Sequence, residues 1–253
     1  MGLSFSTHPE TVSALNTVHK FGSTNNADSG VETDLWDGSD TVGLQPVWLA
    51  PTAARVHQIV STDVNDTSAG TGARTVKVWG LTSWDSVETS ETLTMNGTTN
   101  VPTTASYVII HRIRVMTTGA SGPNVGRITA TADTDATVTA AIAAGNGQTS
   151  MAIYGVPSVE SFYMDRLYAN LIDAATGTDT RIELHSTTDV ESQPNVWTVK
   201  HVFGLRGTGT SALSIPYSHS KVFPGPCIIK LDILSDVNNT VAGGGFDGHL
   251  VDV

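Results

Sequence analysis

Short runs in which apolar and polar residues alternate make up most of the chain from residue 46 onward. In one such run Val76 and Val78 flank Lys77, and this period of two is typical of a strand with two different faces. Turn-forming pairs such as Asn96-Gly97 separate the runs, as hairpins require. The pattern predicts strands at 55–61, 74–81, 88–95, 107–117, 126–132, 137–143, 150–156, 161–172, 181–186, 197–205, 212–217, 227–235 and 244–251.

Many short strands without crossover helices favour an antiparallel sandwich or barrel over an α/β fold. The segment 161–174 is the one contender for a helix of ten or more residues, and its β-branched and aromatic neighbours favour a strand. No internal repeat of fixed period is present, which argues against a propeller or a solenoid. We therefore predict an all-β protein, a jelly-roll-like antiparallel two-sheet sandwich.

Residues 1–45 differ from the rest because they are polar, are interrupted by glycine and contain only two short amphiphilic islands. We predict that they form an extended N-terminal arm on a sandwich domain at 46–253. Phe21, Leu35 and Trp36 are the large apolar side chains of this arm that need burial somewhere. Two interpretations stay open: these side chains contact a partner protein, or the arm folds back onto its own sandwich.

Charge limits the classes of partner, since 13 Lys and Arg stand against 24 Asp and Glu and give a net charge of -11. Nucleic acid is not an expected partner, because phosphate binding needs clustered positive charge. The start of the chain lacks the features of a signal peptide, and no segment approaches the ~20 apolar residues of a membrane span. We expect synthesis in a cytoplasm without export and no membrane partner. Cys227 lies in an apolar run and is predicted to be a buried small hydrophobe.

A search for catalytic and metal-binding patterns assigns no such residues. His57, His111, His185 and His201 fall in four different predicted strands, and no pair has the spacing of a metal site with a partner acid. The chain has no Gly-x-Ser-x-Gly nucleophile elbow, and its short Gly-Thr-Gly segments lack the context of a phosphate-binding loop. We expect no enzymatic activity, no cofactor and no bound metal.

Five segments of the chain resemble structural proteins of tailed bacteriophages, such as phages of cyanobacteria and other aquatic bacteria. They are HKFGSTNNADSGVETDLWDG (19–38), DTSAGTGARTVKVWGL (66–81), ETLTMNGTT (91–99), GASGPNVGRITA (119–130) and GNGQTSMAIYGVP (145–157). The resemblance covers most of the chain and implies a component of the virion. It supplies no catalytic residues, because the shared motifs are turns and strand edges.

Within a virion, the leading interpretation is a capsid decoration or cement protein that binds the major capsid protein and copies of itself, with a homotrimer expected. The arm would then attach to a neighbour through Phe21, Leu35 and Trp36. The alternative is a fibre, spike or tail-associated adhesin for a host surface glycan. Trp84 is the candidate aromatic for stacking on a sugar, and an ordinary hairpin aromatic that packs across the strands is the favoured interpretation of this residue. A minor head–tail connector component is a further possibility.

Overall fold

The computed structural model describes residues 16–39, 45–192, 195–207 and 211–253. These residues form sixteen strands and no helix, so none of them belongs to a helix that could span a membrane. All pairings between the strands are antiparallel, and the prediction of an all-β antiparallel sandwich is confirmed. The strands are β1 Asn16–Ala27, β2 Thr33–Asp34, β3 His57–Ser61, β4 Ala73–Leu81, β5 Thr89–Thr94, β6 Val101–Pro102, β7 Ile109–Thr118, β8 Ile128–Ala132, β9 Val138–Ile142, β10 Ile153–Val156, β11 Glu160–Asp173, β12 Asp179–Thr187, β13 Thr198–Arg206, β14 Ser211–Pro224, β15 Cys227–Ser235 and β16 Thr240–Asp252.

The strands form four sheets arranged around two hydrophobic cores. Sheet 1 has the order β1-β16-β11-β14, and sheet 2 has the order β10-β15-β12-β13 with the short β2 paired to β15. Sheet 3 has the order β6-β3-β8-β9, and sheet 4 has the order β5-β4-β7. Sheets 1 and 2 enclose one core and form the C-terminal sandwich, whereas sheets 3 and 4 enclose the other and form the N-terminal sandwich.

The period-2 pattern of β15 explains how the two cores are joined. Cys227, Ile229 and Leu231 point into the C-terminal core, because alternate residues of a strand share one face. Ile228, on the opposite face of the same strand, belongs to the N-terminal core together with Ile153 of β10. Sheet 2 therefore packs on both faces. Burial raises the pKa of the Cys227 thiol to about 12, and the predicted inert, buried cysteine is confirmed.

The described part of the expected arm, residues 16–39, is paired with the body of the protein. Strand β1 is an edge strand of sheet 1 and runs beside β16, from Asn16 opposite Leu250 to Ala27 opposite Thr240. Strand β2 lies beside β15, with Asp34 opposite Asp232. This segment supplies strands and core residues to the C-terminal sandwich, while residues 1–15 and 40–44 lie outside the described residues.

Candidate functional site

The three side chains expected to attach the arm to a partner occupy different environments. Leu35 and Trp36 have no exposed surface; Leu35 lies in the C-terminal core and Trp36 in the N-terminal core. Neither can contact a neighbouring protein without leaving its core, which corrects the expectation of a partner contact and matches the alternative of an arm folded back on its own chain. Phe21 is half-buried in β1.

Trp84, the candidate for an exposed aromatic that stacks on a sugar, is instead a packed aromatic side chain, as the other interpretation had it. The side chain is only 7% exposed and belongs to the N-terminal core. It lies against Gly155 of β10, where an added Cβ atom would be 3.2 Å from the indole ring. Trp84 thus fills the junction of the two sandwiches, and its ring is not available to a glycan.

β13 and β14 are the edge strands on one side of the C-terminal sandwich, because β13 ends sheet 2 and β14 ends sheet 1. Leu213 and Ile215 of β14 stand opposite Ala169 and Leu167 of β11, which are buried in the core. The two β14 side chains face the same core, yet both remain partly exposed, and Leu213 keeps 36% of its surface accessible. Edge strands with uncovered apolar side chains are prone to pair with or pack against another chain.

The charge of β13 and β14 differs from that of the acidic chain as a whole. No Asp or Glu occurs between Glu191 and Asp232, a stretch that contains both β13 and β14. The strands carry three cationic side chains, of which Arg206 contacts Asp179 at 3.5 Å and Lys221 donates a hydrogen bond to the carbonyl of Lys200. Three valines of these strands are also exposed, with 45–48% of their surface accessible: Val199, Val202 and Val222. We name β13 and β14 with these side chains the edge surface.

A cleft of about 640 Å³ lies between the two sandwiches. The N-terminal sandwich and the segment beside it contribute Trp79, Glu88, His111 and Arg112, and the C-terminal sandwich contributes Lys20, Tyr154, Glu160 and Asp252. Charged groups of both signs therefore line the cleft. Such a lining can orient a small polar ligand through charge-assisted hydrogen bonds.

Lys20 is a buried cation of this cleft. The side chain is 7% exposed, and its ammonium group donates a hydrogen bond to the carbonyl oxygen of His111. Burial, together with the positive charge of the neighbouring Arg112, lowers the pKa of Lys20 to about 7, although Glu88 opposes the shift. Near neutral pH this amine exists in both protonation states.

His111 connects the cleft to the loop before β5. Its Nε2 atom lies 2.5 Å from Oε2 of Glu88, and Nδ1 is buried without a hydrogen-bond partner among the described residues. Burial lowers the pKa of His111, although the hydrogen bond with Glu88 opposes the shift. The ring packs against Tyr154, with the two centroids 4.6 Å apart. This arrangement fixes the imidazole between the two sandwiches.

Ionisable side chains also meet on the face of sheet 2 that lies away from the C-terminal core. We name this group the sheet 2 cluster; its members are Glu32, Asp34, Glu183, His185, Lys230 and Asp232. Lys230 is fully buried and donates to Asp34 at 2.7 Å. Burial raises the pKa of Asp232 to about 8, and the negative charge of Asp34 adds to the shift. Sequence pattern alone does not reveal this cluster, because its members come from three segments that are far apart in the chain.

Comparison with protein-family models, with curated proteins and with solved structures found no match for this chain.

Proposed function

We propose that the protein is a structural component of a tailed-bacteriophage particle, a capsid decoration protein that binds the shell and associates with copies of itself through the edge surface. The sequence resemblance supports the particle context. The observation that carries the proposal is the edge surface itself, where apolar side chains of β13 and β14 are accessible on strands that end two sheets. A protein that works as part of an assembly needs such a surface, whereas a soluble monomer normally protects its edges.

The occupant of the edge surface is a second copy of the chain. The edge surface carries cations and no acid, while the chain as a whole has a net charge of -11. Two edge surfaces facing each other would repel, so an isologous dimer is disfavoured. A head-to-tail contact places the edge surface of one copy against the acidic surface of the next. Head-to-tail contacts close into rings, and the homotrimer is the ring that matches the three-fold positions of a capsid.

The copy number in purified particles tests this function. Quantitative mass spectrometry would compare peptides of this chain with peptides of the major capsid protein of the same particle. A decoration protein is expected at a copy number comparable with that of the major capsid protein. A small fraction of that number would support a tail, fibre or connector component instead, and absence from particles would overturn the proposal.

A further inference from the structure

Three side chains of the sheet 2 cluster lie close enough together to share one metal ion. One ligand atom each of Glu32, His185 and Asp232 lies within 4.8 Å of the other two. Nε2 of His185 and Oδ2 of Asp232 are 3.2 Å apart, a separation that fits two ligands on one ion with bonds of about 2.0–2.2 Å. The side chain of Glu32 is 49% exposed, and it can therefore move inward to complete the set.

A second, independent observation points to a ligand at this position. The side chain of Asp232 is 2% exposed, and its Oδ2 atom accepts no hydrogen bond from any described residue. The nearby ammonium group of Lys230 is engaged by Asp34 and Glu32 at 2.7 and 3.1 Å and stays 4.0 Å from Asp232. A buried carboxylate oxygen without a donor is costly, and a cation beside it would remove that cost.

The balance of charge favours a divalent ion. The cluster holds four carboxyl groups, those of Glu32, Asp34, Glu183 and Asp232. Their fixed cationic contacts are Lys230 and the guanidinium of Arg181, which lies 2.5 Å from Glu183. A divalent ion would add positive charge to a cluster that holds more carboxyl groups than cationic contacts.

We propose that the sheet 2 cluster binds one divalent transition-metal ion such as Zn²⁺. The ligands would be Nε2 of His185 and carboxylate oxygens of Asp232 and Glu32. The mixed nitrogen and carboxylate donors select zinc and its neighbours over Mg²⁺ and Ca²⁺, which prefer oxygen ligands alone. Glu183, whose Oε2 atom lies 2.8 Å from His185 Nε2, can serve as a fourth ligand. When Nε2 binds the metal, the ring proton resides on Nδ1.

The proposed ion would have a structural consequence. Glu32 directly precedes β2, which is held to β15 by only two residue pairs, whereas His185 and Asp232 lie on β12 and β15. An ion bound to all three would fix the segment that carries Leu35 and Trp36 onto sheet 2. Binding to the folded state alone raises the free energy of unfolding.

Calorimetric titration of the tag-free, chelator-treated protein with ZnCl₂ tests the proposal, with thermal unfolding as the second readout. We expect one ion per chain, an upward shift of the melting temperature, and no competition by excess Mg²⁺. The Glu32→Gln and His185→Gln substitutions should each weaken binding about tenfold or more and reduce the thermal shift. Glu32→Gln is the safer variant for folding, because this side chain is half-exposed.

The control is Asp173→Asn, which removes an exposed carboxylate at the end of β11 in sheet 1, outside the sheet that carries the cluster. This variant should bind zinc as the wild type does. The proposal is overturned if the wild type binds no zinc, or if Glu32→Gln and His185→Gln bind it unchanged, since the ion would then sit on other histidines. Equal loss of binding in Asp173→Asn would also contradict it.

Discussion

At the scale of single residues, Lys20 links the cleft to the stability of the whole chain. Its pKa is about 7 in the folded protein, against an ordinary value of 10.5. Between these values the unfolded chain holds a proton that the folded chain has released, so stability rises with pH across this window. Below pH 7 the full cost of burying the charge applies, on the order of 5 kcal/mol for a shift of this size.

The Lys20→Met substitution should remove this dependence, because Met has a similar shape and no charge. The free energy of unfolding, measured in urea at a series of pH values from 7 to 10, should rise more steeply for the wild type than for the variant. Arg112, Glu88 and His111 face Lys20 and are present in both proteins. Lys77→Met, at a partly exposed position on β4, should keep the wild-type slope. Equal slopes in wild type and Lys20→Met would contradict the buried, perturbed amine.

At the scale of elements, the local sequence pattern predicted the strands in which apolar and polar residues alternate clearly. It did not predict strands whose formation depends on a partner far away in the chain. The segment predicted at 161–172 is β11, and its observed range of Glu160–Asp173 is almost the same. Strand β1 escaped prediction because its sequence is mostly polar and its partner is the glycine-rich β16. The placement of Leu35 and Trp36 in two different cores follows from the pairing of β2 with β15, which sequence pattern alone does not reveal.

The sequence pattern predicts only part of the candidate sites, as it predicts only part of the strands. The stretch without acids that contains β13 and β14 is visible in the sequence, but its exposure depends on both strands ending a sheet. Lys20 and His111 meet in the cleft although 91 positions separate them. Glu32 and Lys230 are 198 positions apart in the sheet 2 cluster. Contacts at such separations arise from sheet topology, which short-range periodicity does not specify.

The burial of Trp36 gives a prediction for the N-terminal segment. The Trp36→Ala substitution should lower the free energy of unfolding by about 3–5 kcal/mol, because it leaves a large cavity in the N-terminal core. Phe21→Ala is the matched control, since Phe21 lies in the same segment but is half-buried. Its cost in urea unfolding should be clearly smaller. A larger loss for Phe21→Ala than for Trp36→Ala would mean that Trp36 does not contribute to the core as described.

At the scale of the whole molecule, the edge surface differs in charge from the rest of the chain. Neither β13 nor β14 contains an Asp or a Glu. Both strands carry accessible apolar residues. In the proposed assembly, mutual repulsion would keep acidic copies apart except where the edge surface of one copy meets an acidic surface of the next. The account therefore predicts a closed head-to-tail ring with defined stoichiometry.

Sedimentation equilibrium at micromolar concentration tests this account most directly. The wild type should sediment as a trimer of the 26.5 kDa chain. The Val202→Lys substitution, at a 48% exposed position of the edge surface, should produce monomers, because it places a charge in the apolar contact. Val64→Lys, the same change at a 67% exposed position on the N-terminal sandwich, should remain trimeric. A monomeric wild type, or a trimer that Val202→Lys leaves intact, would contradict assembly through the edge surface.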